Sequence, residues 1–214
     1  LYLRELKNER IATGFDRLAS AYSSLSKVVF GVAPEQAQQH FITSVNAGDC
    51  ILILGGGSGD FLKSLLKHQA EITVDYIDIS QKMIRLAREK THNPSNVNFI
   101  AGTEQVIPNR KYTVIITNFY LDLFSDNTLQ NIVQKIKTHL TPGARWLATD
   151  FVSKKGWHKI MLWMMYRFFR IAVGIEAKSL PRWEEQVERA GLAKGDSKVF
   201  FGGFIKSCRY TFDT

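Results

Sequence analysis

Four glycines in five positions, Gly55, Gly56, Gly57 and Gly59 around Ser58, directly follow the aliphatic run Ile51-Leu52-Ile53-Leu54. Glycines at that density give up chain entropy and supply no packing surface, so a plain connector needs far fewer; close approach of the backbone to a ligand accounts for the excess. Asp78 follows Gly59 at about twenty residues, the separation at which doubly wound folds place a carboxylate that accepts hydrogen bonds from a ribose diol. Backbone N–H groups at the start of a helix after the glycines favour a negatively charged ligand group. Together these residues suit the grip of a nucleoside-like cofactor. Asp75, inside the same strand as Asp78, is a weaker rival for the sugar, and the plainer role for Asp78 is to help Ser80 start the next helix.

The elements that must position these groups are legible around them. Four consecutive aliphatics read as a strand covered on both faces, as in parallel sheets. After Asp60, the spacing of Phe61, Leu62, Leu65 and Leu66 predicts a helix. Ile72 to Ile79 alternates into a second strand, and Ser80 then caps a helix with Met83, Ile84 and Ala87 on its apolar face. The dinucleotide fingerprint G-x-G-x-x-G fits poorly: read from Gly55 it puts Asp60 in the third glycine position, and read from Gly57 it puts Leu62 there. That weakens an NAD-dependent oxidoreductase reading.

In the order of its motifs the chain resembles the class I S-adenosylmethionine-dependent methyltransferases, of the small-molecule type similar to the UbiE-like or methyltransferase-11 group. Ile51 to Asp60 looks like the family's glycine-rich loop around the methionine part of the cofactor, and Asp78 in Tyr76-Ile77-Asp78-Ile79-Ser80-Gln81-Lys82-Met83 like its ribose-binding acid. Val97 to Glu104 resembles the third strand and the turn that reaches adenine, with Thr103 where the family usually has aspartate, so that Glu104 or backbone takes the adenine amine. Tyr112 to Leu121 resembles the fourth strand and its site loop, and Leu140 to Leu147 the "LKPGG" turn into the fifth. Phe15 to Tyr22 resembles the "FDxxAxxYD" segment, whose helix covers the cofactor, with Leu18, Ala21, Tyr22 and Leu25 on its apolar side. The resemblance implies cofactor contacts from Gly55, Gly56, Gly57, Ser58, Gly59, Asp78, Ile79, Met83, Gly102, Thr103, Glu104, Asn118, Phe119 and Tyr22. It also implies a Rossmann-like three-layer α/β/α sandwich, with a seven-stranded, mostly parallel sheet and an antiparallel C-terminal hairpin strand. One departure is Ile53, where the family commonly carries an acid for the cofactor's amino group.

At 214 residues, 45% hydrophobic, the chain fits one domain with a full core. Residues 1–46 are expected as N-terminal covering helices and 152–180 as a lid-like helical insertion. No repeat, low-complexity tract or linker divides it. Pro181 opens a further helix carrying Trp183, Val187 and Ala190, and Lys198 to Phe201 with Phe204 to Tyr210 read as the closing hairpin across Gly202-Gly203. Two cysteines, Cys50 and Cys208, lack metal-ligand spacing and point to no metal and a reducing cytoplasm. The first residues lack a signal peptide's apolar core, and a start at Leu1 suggests that N-terminal residues are missing.

The formal charge of +8 raises a nucleic-acid substrate. Arg167 to Arg170 is the only good basic cluster with aromatics, and Asn118-Phe119-Tyr120-Leu121 lacks the prolines of the "NPPY" motif, so a nucleic-acid methyltransferase is a minority reading. The charge suits an anionic small molecule or peripheral contact with a membrane surface equally well. The segment Trp157 to Ile171 is apolar nearly all round, yet its uncharged run from Ile160 to Tyr166 is far below the roughly twenty residues that cross a bilayer. It is expected to pack as a lid over an apolar or aromatic substrate, with Tyr120, Trp157, Trp163 and Phe168 as substrate contacts; its own core or the mate in a homodimer are the competing covers. The implied chemistry is displacement at the cofactor's methyl carbon. A general base is needed only for a protonated nucleophile, and Asp150, His158 and Asp122 are the candidates. The sequence also admits a sensor or scaffold that binds S-adenosylmethionine without transfer, on the strength of Ile53.

Overall fold

The computed structural model describes residues 9–17 and 28–213. The expected apolar face Leu18, Ala21, Tyr22 and Leu25 lies outside the described residues. A helical stretch over 9–17 (α1) is followed by α2 (Ala33–Gln39), then by alternating strands and helices: β1 (Cys50–Leu54), α3 (Asp60–His68), β2 (Thr73–Asp78), α4 (Gln81–Thr91), β3 (Val97–Ala101), β4 (Tyr112–Asn118), α5 (Asp126–Lys137) and β5 (Leu140–Phe151). The long α6 (Gly156–Ala172), α7 (Trp183–Arg189) and the pair β6 (Ala193–Phe200) and β7 (Ile205–Phe212) complete the chain.

One seven-stranded sheet runs in the order β3-β2-β1-β4-β5-β7-β6. The pairs β1–β2, β1–β4, β2–β3 and β4–β5 are parallel, and β7 runs antiparallel to both β5 and β6. The sequence reading of this architecture holds. The strand order reverses between β1 and β4, and helices starting there leave a crevice beyond the strands' carboxyl ends, the place where open α/β sheets take ligands.

The layers follow from strand alternation. Successive side chains of β1 point to opposite faces: Ile51 and Ile53 join the core under α3 and α4 with Leu62, Leu65 and Ala87, while Leu52 and Leu54 join the core under α5 and α7 with Ile132, Trp146 and Trp183. Both faces are covered, which is why the strand reads as an unbroken apolar run. A third apolar cluster joins Phe151, Leu162, Tyr166, Ile175 and Phe204 at the end of the sheet, where α6 lies.

Asp75 is fully buried and bound within the scaffold. It accepts from Arg110 Nε at 2.6 Å, Tyr112 Oη at 2.6 Å and Asn98 Nδ2 at 2.9 Å, so its carboxylate ties β2, β3 and β4 together.

Candidate functional site

The turn after β1 is held from below. Tyr76, fully buried in β2, donates its hydroxyl to Gly57 O at 3.0 Å, and Gly56 N donates to Ile77 O at 3.1 Å. A Cβ at Gly56 would stand 2.2 Å from the Tyr76 ring, so only glycine lets the loop lie on it. Gly59 opens α3 in the left-handed region at φ +86°, where a Cβ would meet the Ala87 Cα of α4 at 2.7 Å. Both close approaches fix the loop against α4 and β2. A Cβ at Gly57 would meet nothing within 4 Å, because that position faces open space.

Asp78 closes β2 beside this loop. Its Oδ2 accepts from Gly57 N and its Oδ1 from Ser80 N, each at 2.8 Å. Ser80 in turn caps α4 by accepting from Met83 N at 3.0 Å. Asp78 thus performs the helix-start role and also borders the ligand crevice; the two roles are compatible because each carboxylate oxygen has a second lone pair. Burial pushes the Asp78 carboxyl up to about 6, with the N–H groups of Ser80 and Gly57 opposing and Asp16 adding repulsion. Asp16 comes from α1: its carboxylate accepts from Ser80 Oγ and, at 3.1 Å, from Lys82 N, which docks the cover helix on the start of α4.

Above these groups lies a cavity of about 1030 Å³. Its walls include Gly55, Gly56, Gly57, Ser58, Asp78, Ile79, Met83, Gly102, Thr103, Glu104, Asn118, Phe119 and Tyr120. Gly59 is buried behind the loop, and Tyr22 lies outside the described residues. Thr103 starts a short helical turn by accepting from Gln105 N at 3.4 Å, while Glu104 is buried with the Tyr120 hydroxyl 3.5 Å from its Oε2. Burial and the Glu104 carboxylate hold the Tyr120 hydroxyl in its protonated form, raising it well above the usual phenol range.

Several wall residues carried no sequence signal. Glu35, Gln38 and Gln39 of α2 and Lys63 and Ser64 of α3 make one polar side; Gln39 Nε2 donates to Ser64 Oγ at 3.1 Å. Leu123, Phe124 and Ile175 make an apolar side together with Phe15 of the expected cover segment, and Glu176, accepting from Thr128 Oγ1 at 2.6 Å, belongs to the same wall. Loops and helices distant in sequence meet there, and no spacing rule links them.

The structure does not bring the other candidates to the cavity wall. Trp157, Trp163 and Phe168 stand exposed on the outer side of α6, because His158, Leu162 and Tyr166 occupy its inner side. The expected lid contacts are corrected accordingly: of the four substrate candidates only Tyr120 borders the cavity. His158 is buried, its Nδ1 accepting from the backbone of Lys154 at 3.0 Å and Lys155 at 3.3 Å, and burial lowers its proton affinity. Asp150 is buried as an acceptor for the N–H groups of Leu121 (2.9 Å), Asp122 (3.2 Å) and Phe151 (2.8 Å). Desolvation pushes Asp150 up to about 7 and, with the neighbouring Asp150 charge, raises Asp122 well above the carboxylate range. These two acids lie at the ends of β4 and β5, outside the cavity wall, and their burial and mutual repulsion favour the protonated form. Among the described residues no group of His, Cys, Asp and Glu could hold a metal ion.

The residues fit S-adenosylmethionine on their own geometry. A glycine loop with open space above Gly57, a carboxylate at the next strand's end and a polar turn at Thr103 and Glu104 offer contacts for the methionine, ribose and adenine parts. Ile53, only 2% exposed, completes the core below, and Glu35, Gln38 and Lys63 supply polar groups on that side of the wall.

Residues 51–143 match the family described as "Methyltransferase domain". A malonyl-[acyl-carrier protein] O-methyltransferase of Ilyobacter polytropus is 30% identical over 114 residues, 53% of this chain and 42% of that protein. A ubiquinone/menaquinone biosynthesis C-methyltransferase of Marinomonas sp. is 25% identical over 151 residues, 68% of this chain and 60% of that protein. The chain therefore spans about half the length of the curated relatives it matches. A chain in the complex of the Haloferax volcanii Trm112 methyltransferase activator with a methyltransferase shares the fold at a TM-score of 0.71 and 15% identity, covering 94% of this chain and 98% of its own. Strand order, glycine turn and sequence kinship converge: residues 51–143 match a methyltransferase domain, set in a fold shared with solved methyltransferase structures.

Proposed function

We propose that this chain transfers a methyl group from S-adenosylmethionine to a small apolar or aromatic molecule. The observation that carries the reading is the continuity of one cavity, whose wall runs from the glycine loop and Asp78 to the apolar side formed by Phe15, Phe119, Tyr120, Leu123, Phe124 and Ile175. The names of the relatives, one methylating at oxygen and one at carbon, support a small acceptor without choosing its atom. When bound, the cofactor supplies a methyl group on a sulfonium, a leaving group that needs no acid. In this reading Asp78 receives the ribose hydroxyls, the loop Gly55 to Ser58 carries the methionine part, Thr103 and Glu104 border the adenine, and the apolar side orients the acceptor. Holding donor and acceptor in line is worth roughly 7–11 kcal/mol in favourable cases, enough for most of the barrier reduction. Asp150, Asp122 and His158 are buried away from the wall, so the reading relies on alignment, with Glu176, next to Ile175 in the wall, as the base for an acceptor that arrives protonated.

Residues 1–214 are read as a single domain working in the cytoplasm, as monomer or homodimer. Among the described residues no helix is long and apolar enough to cross a membrane. The test is calorimetric titration with S-adenosylhomocysteine, NAD and NADP, followed by methyl transfer from labelled S-adenosylmethionine to a panel of quinols, phenols and fatty acids. Binding of S-adenosylhomocysteine alone among the three, with label in one acceptor class, is the expected result. No binding sinks the proposal; tight binding with no transfer leaves the sensor or scaffold reading, which Ile53 supports by lacking the family acid.

A further inference from the structure

Helix α6 carries an apolar and basic face that the described residues leave uncovered. On its inner side His158, Leu162 and Tyr166 repeat every four residues and are buried, with Met161, Met165 and Phe169 half-buried beside them. On its outer side Trp157, Ile160, Trp163, Met164, Phe168 and Ile171 are exposed by between 40% and 75%. They are six of the eleven exposed large apolar residues among the described ones, so the exposure is concentrated and not scattered.

The spacing sorts this outer side into two stripes. At about 100° per residue, Ile160, Met164 and Ile171 line up with Trp157 and Phe168 to one side, while Lys159, Arg167 and Arg170 line up along the adjoining edge with Trp163. Arg167 lies over the Trp163 ring at 6.0 Å. Lys154 and Lys155 precede the helix, and no Asp or Glu occurs from Phe151 to Ile175. The apolar stripe from Trp157 to Ile171 is about 20 Å long at the helical rise.

We propose that α6 is an interfacial anchor that lays the chain on an anionic lipid bilayer, with the apolar stripe among the acyl chains and the Lys and Arg edge at the headgroup phosphates. Charge complementarity selects this occupant. A two-fold contact between copies puts the same patch on both sides, so the cations of one copy would face those of the other. A bilayer with acidic lipids accepts the apolar stripe and the cations at once, and long Lys and Arg side chains reach the headgroups while their stems stay in apolar surroundings. The inner side of α6 packs in one cluster with Ile11, Phe15, Phe119 and Leu123, all of which line the cavity. The bilayer would therefore lie one helix thickness, about 10 Å, from the cavity wall. Delivery of a lipid-soluble acceptor across that distance rests on the proposed methyl transfer; the docking itself does not.

The test is flotation of the whole chain with vesicles of phosphatidylcholine alone or with about one-third phosphatidylglycerol, at about 0.1 M salt and without cofactor. The expected result is binding to the anionic vesicles at least about tenfold stronger than to the neutral ones. Ile160→Asn with Ile171→Asn changes no charge and touches no core side chain, and it should lower the partition by about a hundredfold. Val199→Asn, an exposed apolar position on β6, should leave binding unchanged. Circular dichroism establishes that each variant is folded. Equal binding to both vesicle types, full binding by the Ile160→Asn, Ile171→Asn variant, or a loss as large with Val199→Asn overturns the proposal. So does a homodimer in sedimentation that dissociates on Ile160→Asn, Ile171→Asn in the absence of vesicle binding, or capture by an acidic carrier protein without vesicle binding.

Discussion

Acidification should act on the chain in two opposite directions, because the carboxyl that borders the cavity is already strained toward its proton. Burial pushes Asp78 up to about 6 from the ordinary 3.8, against the two N–H groups that it accepts from. The folded value lies above the unfolded one, so the native chain binds the proton more tightly through that window. Stability is then highest below the unfolded value and is lost as pH rises from about 4 through about 6, by ~3 kcal/mol at most from this group. With Asp78 as the proposed acceptor of the ribose hydroxyls, cofactor affinity runs the other way, since those hydroxyls donate to the ionised carboxylate. At about pH 5 only about a tenth of the free chain carries Asp78 ionised, so the dissociation constant for S-adenosylhomocysteine should rise by roughly tenfold between about pH 7.5 and about pH 5. Calorimetric titrations across that range, in two buffers of different ionisation enthalpy, measure both the affinity and the proton released on binding. In Asp78→Asn the affinity should be lower throughout and its dependence on pH should vanish. An affinity that is flat with pH in the native chain, or a slope that survives in Asp78→Asn, refutes the assignment of Asp78 to the sugar.

Two further outcomes follow from other contacts. Gly56→Ala drives a methyl into the ring of fully buried Tyr76, whose hydroxyl also anchors the loop, and should cost about 1–3 kcal/mol in urea unfolding and weaken S-adenosylhomocysteine binding; an unchanged midpoint would show that the loop can lift away. The buried acids Asp122 and Asp150 are both raised, Asp150 from 3.8 to about 7, so the stability that Asp150 contributes is present at low pH and is lost as pH rises from about 4 through about 7; Asp122→Asn keeps a donor, removes one charge, and should flatten the fall of Tm between about pH 5 and about pH 7, where an equally steep fall in the variant would contradict the coupling of the two acids.

The cradle was legible from sequence because its signals are local. Ile51 to Leu54 reads as a doubly covered strand, and the neighbours of Gly56 and Gly59 require glycine for steric reasons that the glycine density already announces. Ser80 reads as a cap and proves to be one. Asp78 was found by its distance from the turn, since strand, helix and strand lengths make that distance nearly constant in such folds. Asp75 shows the limit of the same reasoning: it stands three residues away on the same strand, and its partners Arg110 and Tyr112 come from a loop and strand far along the chain.

Helix α6 was the element that the sequence could locate but not orient. Apolar residues nearly all round give no preferred face, so Trp163 and Phe168 were expected against the cavity, while packing on Phe204 and the end of the sheet turned His158, Leu162 and Tyr166 inward. The same long-range meeting buried Asp122 against Asp150 and gathered Glu35, Gln38, Phe124, Ile175 and Glu176 around one cavity. By itself the sequence determined the strand-turn-helix cradle and the carboxylate of Asp78 beside it, because backbone sterics and element lengths act between near neighbours. Only the tertiary structure decided which side chains share the acceptor's side of the cavity and which face of α6 meets the solvent, because those depend on contacts between segments that no local periodicity relates.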